Sequence, residues 1–191
     1  MDHMIAFANK VGIKGATIKP KEEPGRSPFL IVDVAAHAGS NGPAPDYCVL
    51  MYGHMDKQPF GEGWLTDPCD PVIKDGKLYG RGSVDDGYAF FSACLCIKAC
   101  QDLGLKHPRV VITIEGSEEG EIDDLKFYLN KFNEELGNPD LVFCLDAGGD
   151  SKETLTITTT LRGCLNFDLK VTVGEDNLHS GLGGGMMPQP F

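Results

Sequence analysis

Apolar positions along the chain fall into two alternating rhythms. Phe29-Leu30-Ile31-Val32-Asp33-Val34, Val49 to Tyr52, Arg109 to Ile114 and Leu141 to Leu145 are short apolar runs, and each reads as a buried strand. Between Asp86 and Leu103 the apolar residues Tyr88, Phe91, Cys94, Leu95 and Ile97 recur at helical spacing, and Gly104 stands where a cap belongs. Asp123 to Leu136 has an amphipathic helical pattern, closed by Gly137 and Asn138-Pro139. A looser helical face, Ile5, Phe7, Ala8 and Val11, lies within residues 1–12. Lys19 to Pro28 and residues 57–75, which include Trp64, are rich in turn formers and read as loops. Strand and helix alternate from Pro28 to Leu145. That rhythm predicts an α/β fold with a mostly parallel sheet and helices on its faces. It changes near Arg162, between the β-rich stretches Thr154–Thr160 and Cys164–Val173, so a domain boundary is expected there: 1–162 and 163–191.

The chemistry gathers where the strands end. Val49–Tyr52 runs into Gly53-His54-Met55-Asp56, and side chains at i and i+2 on an extended chain point the same way. The next runs end in Glu118-Glu119 and in Asp146, and Asp85-Asp86 precedes a helix. Singly these are bland: paired acids are usually solvated, and Asp85-Asp86 suits a helix start. Their coincidence at successive strand ends is not bland, because ligands of open α/β sheets collect at the carboxyl ends of strands. Carboxylates crowded together repel, and divalent cations relieve that cost. One histidine with several carboxylates suits zinc, and the oxygen-rich set also admits manganese. A shared carboxylate can bridge two ions about 3.5–4 Å apart, leaving another as general base.

Composition narrows the classes. A formal charge of −11 argues against a nucleic-acid surface, which needs a basic face. No apolar run is long enough to predict a membrane span. The first residues lack the basic and apolar regions of a secretory leader. Seven scattered cysteines fit reduced thiols, so a cytoplasmic protein is expected. Cys94, Cys96, Cys100 and Cys144 read as core packing, and His37 and His107 as surface. The glycines at 183–185 lack the lysine of a phosphate-binding loop.

Five motifs stand in order: Tyr52-Gly53-His54-Met55-Asp56, Gly80-Arg81-Gly82-Ser83-Val84-Asp85-Asp86, Gly116-Ser117-Glu118-Glu119-Gly120, Leu145-Asp146 and Leu178-His179-Ser180-Gly181. Together they resemble the M20 di-metal peptidases, in particular the cytosolic non-specific dipeptidase and carnosine dipeptidase branch. The resemblance implies a three-layer α/β/α catalytic domain of zinc-peptidase type, followed by the start of an α+β lid. It implies that His54, Asp85 and Asp146 hold one ion, and that Asp85 and Glu119 hold a second. Glu118 would be the general base acting on a water between the ions, and Asp56 would orient His54. It also implies a cis peptide after Asp85. His179 would touch substrate in a neighbouring subunit's site, within a homodimer formed through the lid. The implied reaction is hydrolysis of dipeptides or short peptides at a free carboxyl terminus, by a metallopeptidase of dipeptidase or carboxypeptidase type. The same ligands would serve an N-acyl amino acid amidohydrolase, and a non-catalytic binding protein could keep the scaffold. The family's remaining ligand is a histidine late in a chain about twice this length. The resemblance therefore implies an N-terminal portion, weakly active or inactive alone.

Overall fold

The side-chain alternation in Phe29–Val34 decides how the sheet is sandwiched. Leu30, Val32 and Val34 enter one core, while Phe29 and Ile31 enter another on the opposite face. In the computed structural model, which describes residues 1–120, 123–149, 151, 153–174 and 179–188 (Ser180 by its backbone alone), both faces are covered. The elements in order are α1 (Asp2–Val11), β1 (Ala16–Lys21), β2 (Phe29–Val34), β3 (Cys48–His54), β4 (Val72–Lys74), β5 (Lys77–Tyr79) and α2 (Ala89–Asp102). They continue with β6 (Arg109–Glu115), α3 (Asp123–Lys131), α4 (Asn133–Leu136), β7 (Leu141–Cys144) and α5 (Ser180–Gly183).

Five strands form one mixed sheet in the order β1-β2-β6-β3-β7. The β6–β3–β7 half is parallel, as the alternation predicts, and β1 and β2 run antiparallel. On one face Phe90, Ala93, Cys94 and Ile97 of α2 and Ala8 of α1 pack on Leu30, Val32, Val110, Ile112 and Ile114. On the other, Tyr128 of α3 and Leu136 of α4 pack on Phe29, Ile31, Leu50 and Val111, with Tyr128 stacked on Phe29. Helices on both sides of a sheet make the three-layer α/β/α arrangement.

Local chemistry ends the helices where expected. Gly104 takes φ 65° after α2, and the amides of Gly104 and Leu105 return to the carbonyls of Gln101 and Cys100. This double closure satisfies carbonyls that the last turn leaves open. Gly137 closes α4 in the same left-handed region, with φ 75°.

Several expectations are corrected. The stretch from Lys19 is in part strand, since β1 extends to Lys21 and pairs with β2. Residues 57–75 are not wholly irregular, because β4 pairs with β5 across Asp75-Gly76 in a small hairpin. The run at Leu141 is a strand but not a buried one. Among the described residues β7 has a strand partner on one side only, and Leu141, Val142 and Phe143 stay about half exposed. Cys144 and Cys96 are exposed rather than packed. His107 is buried: its Nδ1–H donates to the Pro108 carbonyl at 2.7 Å, its Nε2 faces the Gln101 amide at 3.0 Å, and its ring stacks on His37. The peptide bond between Asp85 and Asp86 is trans.

The chain divides into two compact units, Met1–Thr156 and Ile157–Phe191. The second contains α5 and, among its described residues, no strand. Leu165, Phe167 and Leu169 alternate as a strand would, yet each is at least 80% exposed. Alternation marks the intended face, but a strand also needs a neighbour for its backbone groups.

Candidate metal centre

Parallel pairing brings the chemistry together. β3 lies between β6 and β7, with His54 opposite Glu115 and Tyr52 opposite Cys144. The ladder runs one step past each strand: Met55 N–H bonds the Glu115 carbonyl at 2.7 Å, and Leu145 N–H bonds the Tyr52 carbonyl at 2.8 Å. The three segments that follow, carrying Asp56, Glu118-Glu119 and Asp146, therefore leave the sheet at the same end, the carboxyl ends of parallel strands. The loop before α2 adds Asp85 and Asp86.

His54 is the centre, at 1% exposure. Its Nε2 lies 3.1 Å from Asp85 Oδ1, 3.5 Å from Asp146 Oδ2 and 3.9 Å from Glu118 Oε2. Its Nδ1 faces the Asp56 carbonyl at 3.1 Å and the Asp56 carboxylate at 3.3 Å. The partners at both ring nitrogens are acceptors, so a neutral imidazole with its single proton leaves one nitrogen lone pair facing oxygen. Lone pair against carboxylate is repulsive unless a cation or a second proton lies between them. Burial pushes the His54 pKa down, but Asp146, Asp56, Glu118 and the contact with Asp85 outweigh it and raise it. Burial likewise raises Glu118 and Asp146 above the usual carboxylate range; His54 opposes this, while neighbouring acids add to it. This is the electrostatic signature of a donor set short of positive charge.

Donor atoms of His54, Asp85 and Asp146 all lie within 4.8 Å of one another, and so do those of His54, Glu118 and Glu119. Imidazole and carboxylate oxygen at this spacing are fit to hold a divalent cation. All the ligand and base candidates named from the sequence, His54, Asp56, Asp85, Glu118, Glu119 and Asp146, thus meet in the first unit. His179 belongs to the second unit, where its Nδ1 accepts the Gly181 N–H at 3.0 Å and its carbonyl caps α5.

Around the donors lies a layer that holds them still. The Asp56 carboxylate accepts the amides of Glu118 at 3.2 Å and Glu119 at 2.9 Å, so it positions the acidic pair as well as the histidine. Gln58 donates to Glu119 Oε2 at 2.6 Å. Asp86 is fully buried: one oxygen accepts the His54 amide at 3.1 Å, and the other accepts the amides of Tyr88 and Ala89. The N-cap position of α2 is Tyr88, so Asp86 is not the cap itself; it accepts amides at the helix start and with its other oxygen fastens the histidine backbone to that start. Glu115, 2% exposed, accepts the Tyr52 hydroxyl, and burial raises both groups. Sequence reasoning missed Gln58, Glu115 and Lys57. A lone acid ending an apolar run was the available signal for Glu115; Gln58 and Lys57 had none.

A sequence model of peptidase family M20/M25/M40 matches residues 50–178. The chain belongs to that family. It is 31% identical over 192 residues to the human "Beta-Ala-His dipeptidase", covering 95% of this chain and 37% of that one. It is 34% identical over 154 residues to the "Cysteinylglycine-S-conjugate dipeptidase" of Corynebacterium striatum, covering 77% and 32%. It is 31% identical over 148 residues to the "Cys-Gly metallodipeptidase dug1" of Schizosaccharomyces pombe, covering 75% and 31%. The M20 chain described here thus spans about a third of the length of these relatives. Among solved structures, human carnosine dipeptidase 1 superposes with a TM-score of 0.62 over 100% of this chain and 41% of its own, at 24% identity, which speaks to the fold. The M20 metallo-carboxypeptidase Sso-CP2 of Sulfolobus solfataricus matches with a TM-score of 0.61 at 26% identity, covering 77% and 32%. No helix among the described residues is long and apolar enough to cross a membrane.

Proposed function

We propose that the protein carrying this chain is a metal-dependent dipeptidase that hydrolyses dipeptides or short peptides at a free carboxyl terminus. The observation that carries this reading is the His54 imidazole, with Nε2 aimed at Asp85, Asp146 and Glu118 and Nδ1 held by Asp56. His54, Asp85 and Asp146 would hold one ion, and Asp85 and Glu119 would reach a second. Zinc suits the imidazole–carboxylate set, and manganese is the other candidate. Such ions, when bound, supply Lewis acidity toward a peptide carbonyl and lower the pKa of water.

The chain's own residues do the rest. Glu118 takes a proton from the attacking water and returns it to the leaving amine, and a carboxyl with a raised pKa suits that exchange. Asp56 keeps His54 in one tautomer and fixes the start of the Glu118–Glu119 segment. Two relatives have names that specify dipeptides, β-Ala-His and Cys-Gly, which supports a small peptide as substrate. Residues 1–162 would be catalytic, and residues 163–191 the start of a lid through which the protein forms a homodimer. His179 would meet substrate bound to the neighbouring subunit. Seven free cysteines support a cytoplasmic home.

The test is metal content of the dialysed chain, measured beside dipeptide hydrolysis by the whole protein with zinc or manganese added. Glu118→Gln should keep the metal and lower turnover by about 10²–10⁴-fold. A whole protein inert toward dipeptides but active on N-acyl amino acids would move the assignment to an amidohydrolase. Turnover unchanged by Glu118→Gln would remove Glu118 as the base.

A further inference from the structure

Lys57 follows Asp56 directly, and its side chain ends among backbone carbonyls. Its Nζ donates to the Met55 carbonyl at 2.9 Å, to the Asp56 carbonyl at 2.9 Å and to the Asp86 carbonyl. An ammonium has three donors, so each is used and none remains for a ligand. The carbonyls belong to two segments that are distant in sequence. Met55 and Asp56 follow His54, whereas Asp86 follows Asp85. The bonds from Lys57 therefore tie the histidine segment to the turn that presents the carboxylate 3.1 Å from His54 Nε2.

Two further observations fit this role. The shaft of Lys57 lies against Gly82, where a Cβ would overlap Cε and come within 2.9 Å of Cδ. Gly82 also sits at φ 80°, so the Gly80–Ser83 turn is folded over the lysine stem. In addition, the Asp56 carbonyl that faces His54 Nδ1 already carries the Lys57 ammonium. A carbonyl oxygen has two lone pairs, so the lysine and the histidine share this one acceptor.

We propose that Lys57 is a positioning residue: its single ammonium clamps the strand-end segment carrying His54 to the turn carrying Asp85 and so sets the separation of these two metal-site residues. The proposal rests on the reading that His54, Asp85 and Asp146 hold a divalent ion. Supports behind metal ligands commonly change affinity by about 10–100-fold when removed.

The test uses the 191-residue chain, with zinc affinity measured by chelator competition and the visible spectrum recorded with cobalt(II) in place of zinc. Lys57→Met keeps the shaft length and deletes the donors. It should weaken zinc binding by about 10–100-fold and alter the cobalt band, while Lys10→Met on the remote helix α1 leaves both unchanged. Lys57→Arg, which keeps charge and shaft, decides the matter if Lys57→Met does not fold. Its planar fork cannot converge on three carbonyls, so affinity should still fall. Parent-like affinity and spectrum in Lys57→Met, or in Lys57→Arg when Lys57→Met fails to fold, overturns the proposal. A parent chain that binds neither zinc nor cobalt would instead overturn the metal-site reading itself.

Discussion

Gly53 stands immediately before His54, and its lack of a side chain is a packing requirement. A Cβ there would lie 2.5 Å from the Ala89 Cβ, 2.5 Å from Asp86 Oδ2 and 3.3 Å from Ile114 Cδ1. Ordinary contact begins at 3.4 Å, so Gly53→Ala forces two neighbours back by about 0.9 Å each. Ala89 opens α2 and Asp86 is fully buried, so neither can rotate into solvent. Overpacking of this kind costs about 1–3 kcal/mol. Moving Asp86 by that distance also breaks its 3.1 Å bond to the His54 amide, and a hydrogen bond to a charged group is worth about 1.5–3 kcal/mol. The sum, about 2.5–6 kcal/mol, is a large part of the roughly 5–15 kcal/mol that holds a domain folded. Urea unfolding followed by far-ultraviolet circular dichroism measures it. Ala89→Gly in the Gly53→Ala background removes one of the two clashes and should recover part of the loss. Alone, Ala89→Gly should cost about 1 kcal/mol. The Asp86 contact persists in the double variant, so zinc affinity should stay low there. A Gly53→Ala chain within about 0.5 kcal/mol of the parent would refute this account of the His54–Asp86 junction.

Two other outcomes follow from the same geometry. Asp56→Ala removes the carboxylate beside His54 Nδ1, leaving the backbone carbonyl there, and frees the amides of Glu118 and Glu119; zinc affinity by chelator competition should drop about 10–100-fold with little change in helix content. Asp124 is held below its ordinary value of 3.8 by the backbone amide and hydroxyl of Ser27 and then by Arg26. A depressed folded pKa gives stability that is present above 3.8 and is lost as pH falls through the lower folded value. Asp124→Asn should therefore lower stability by about 1–2 kcal/mol near neutrality, allowing for partial exposure, and match the parent in acid; urea midpoints across that range read the convergence.

Much of the architecture was legible in residue order. The spacing of Phe29–Val34, Val49–Tyr52 and Arg109–Ile114 located strands, because side-chain period is a property of one segment's own backbone. Gly104 and Gly137 marked helix ends, because a left-handed residue carries its preference locally. His54, Asp56, Asp85, Glu118, Glu119 and Asp146 were nominated by their places after strands or before a helix. Tertiary structure decided what links distant segments. The strand order β6-β3-β7 puts three strand ends side by side, and no single segment encodes its neighbour. Whether a strand is buried depends on what covers it, which is why Leu141–Cys144 is an exposed edge and His107 an interior residue. Lys57 and Asp86 reveal their roles through partners some thirty residues away, at 29 and 32 positions of separation. Hydrogen bonds between such distant groups leave no periodic mark on the chain, so only their meeting in space identifies them.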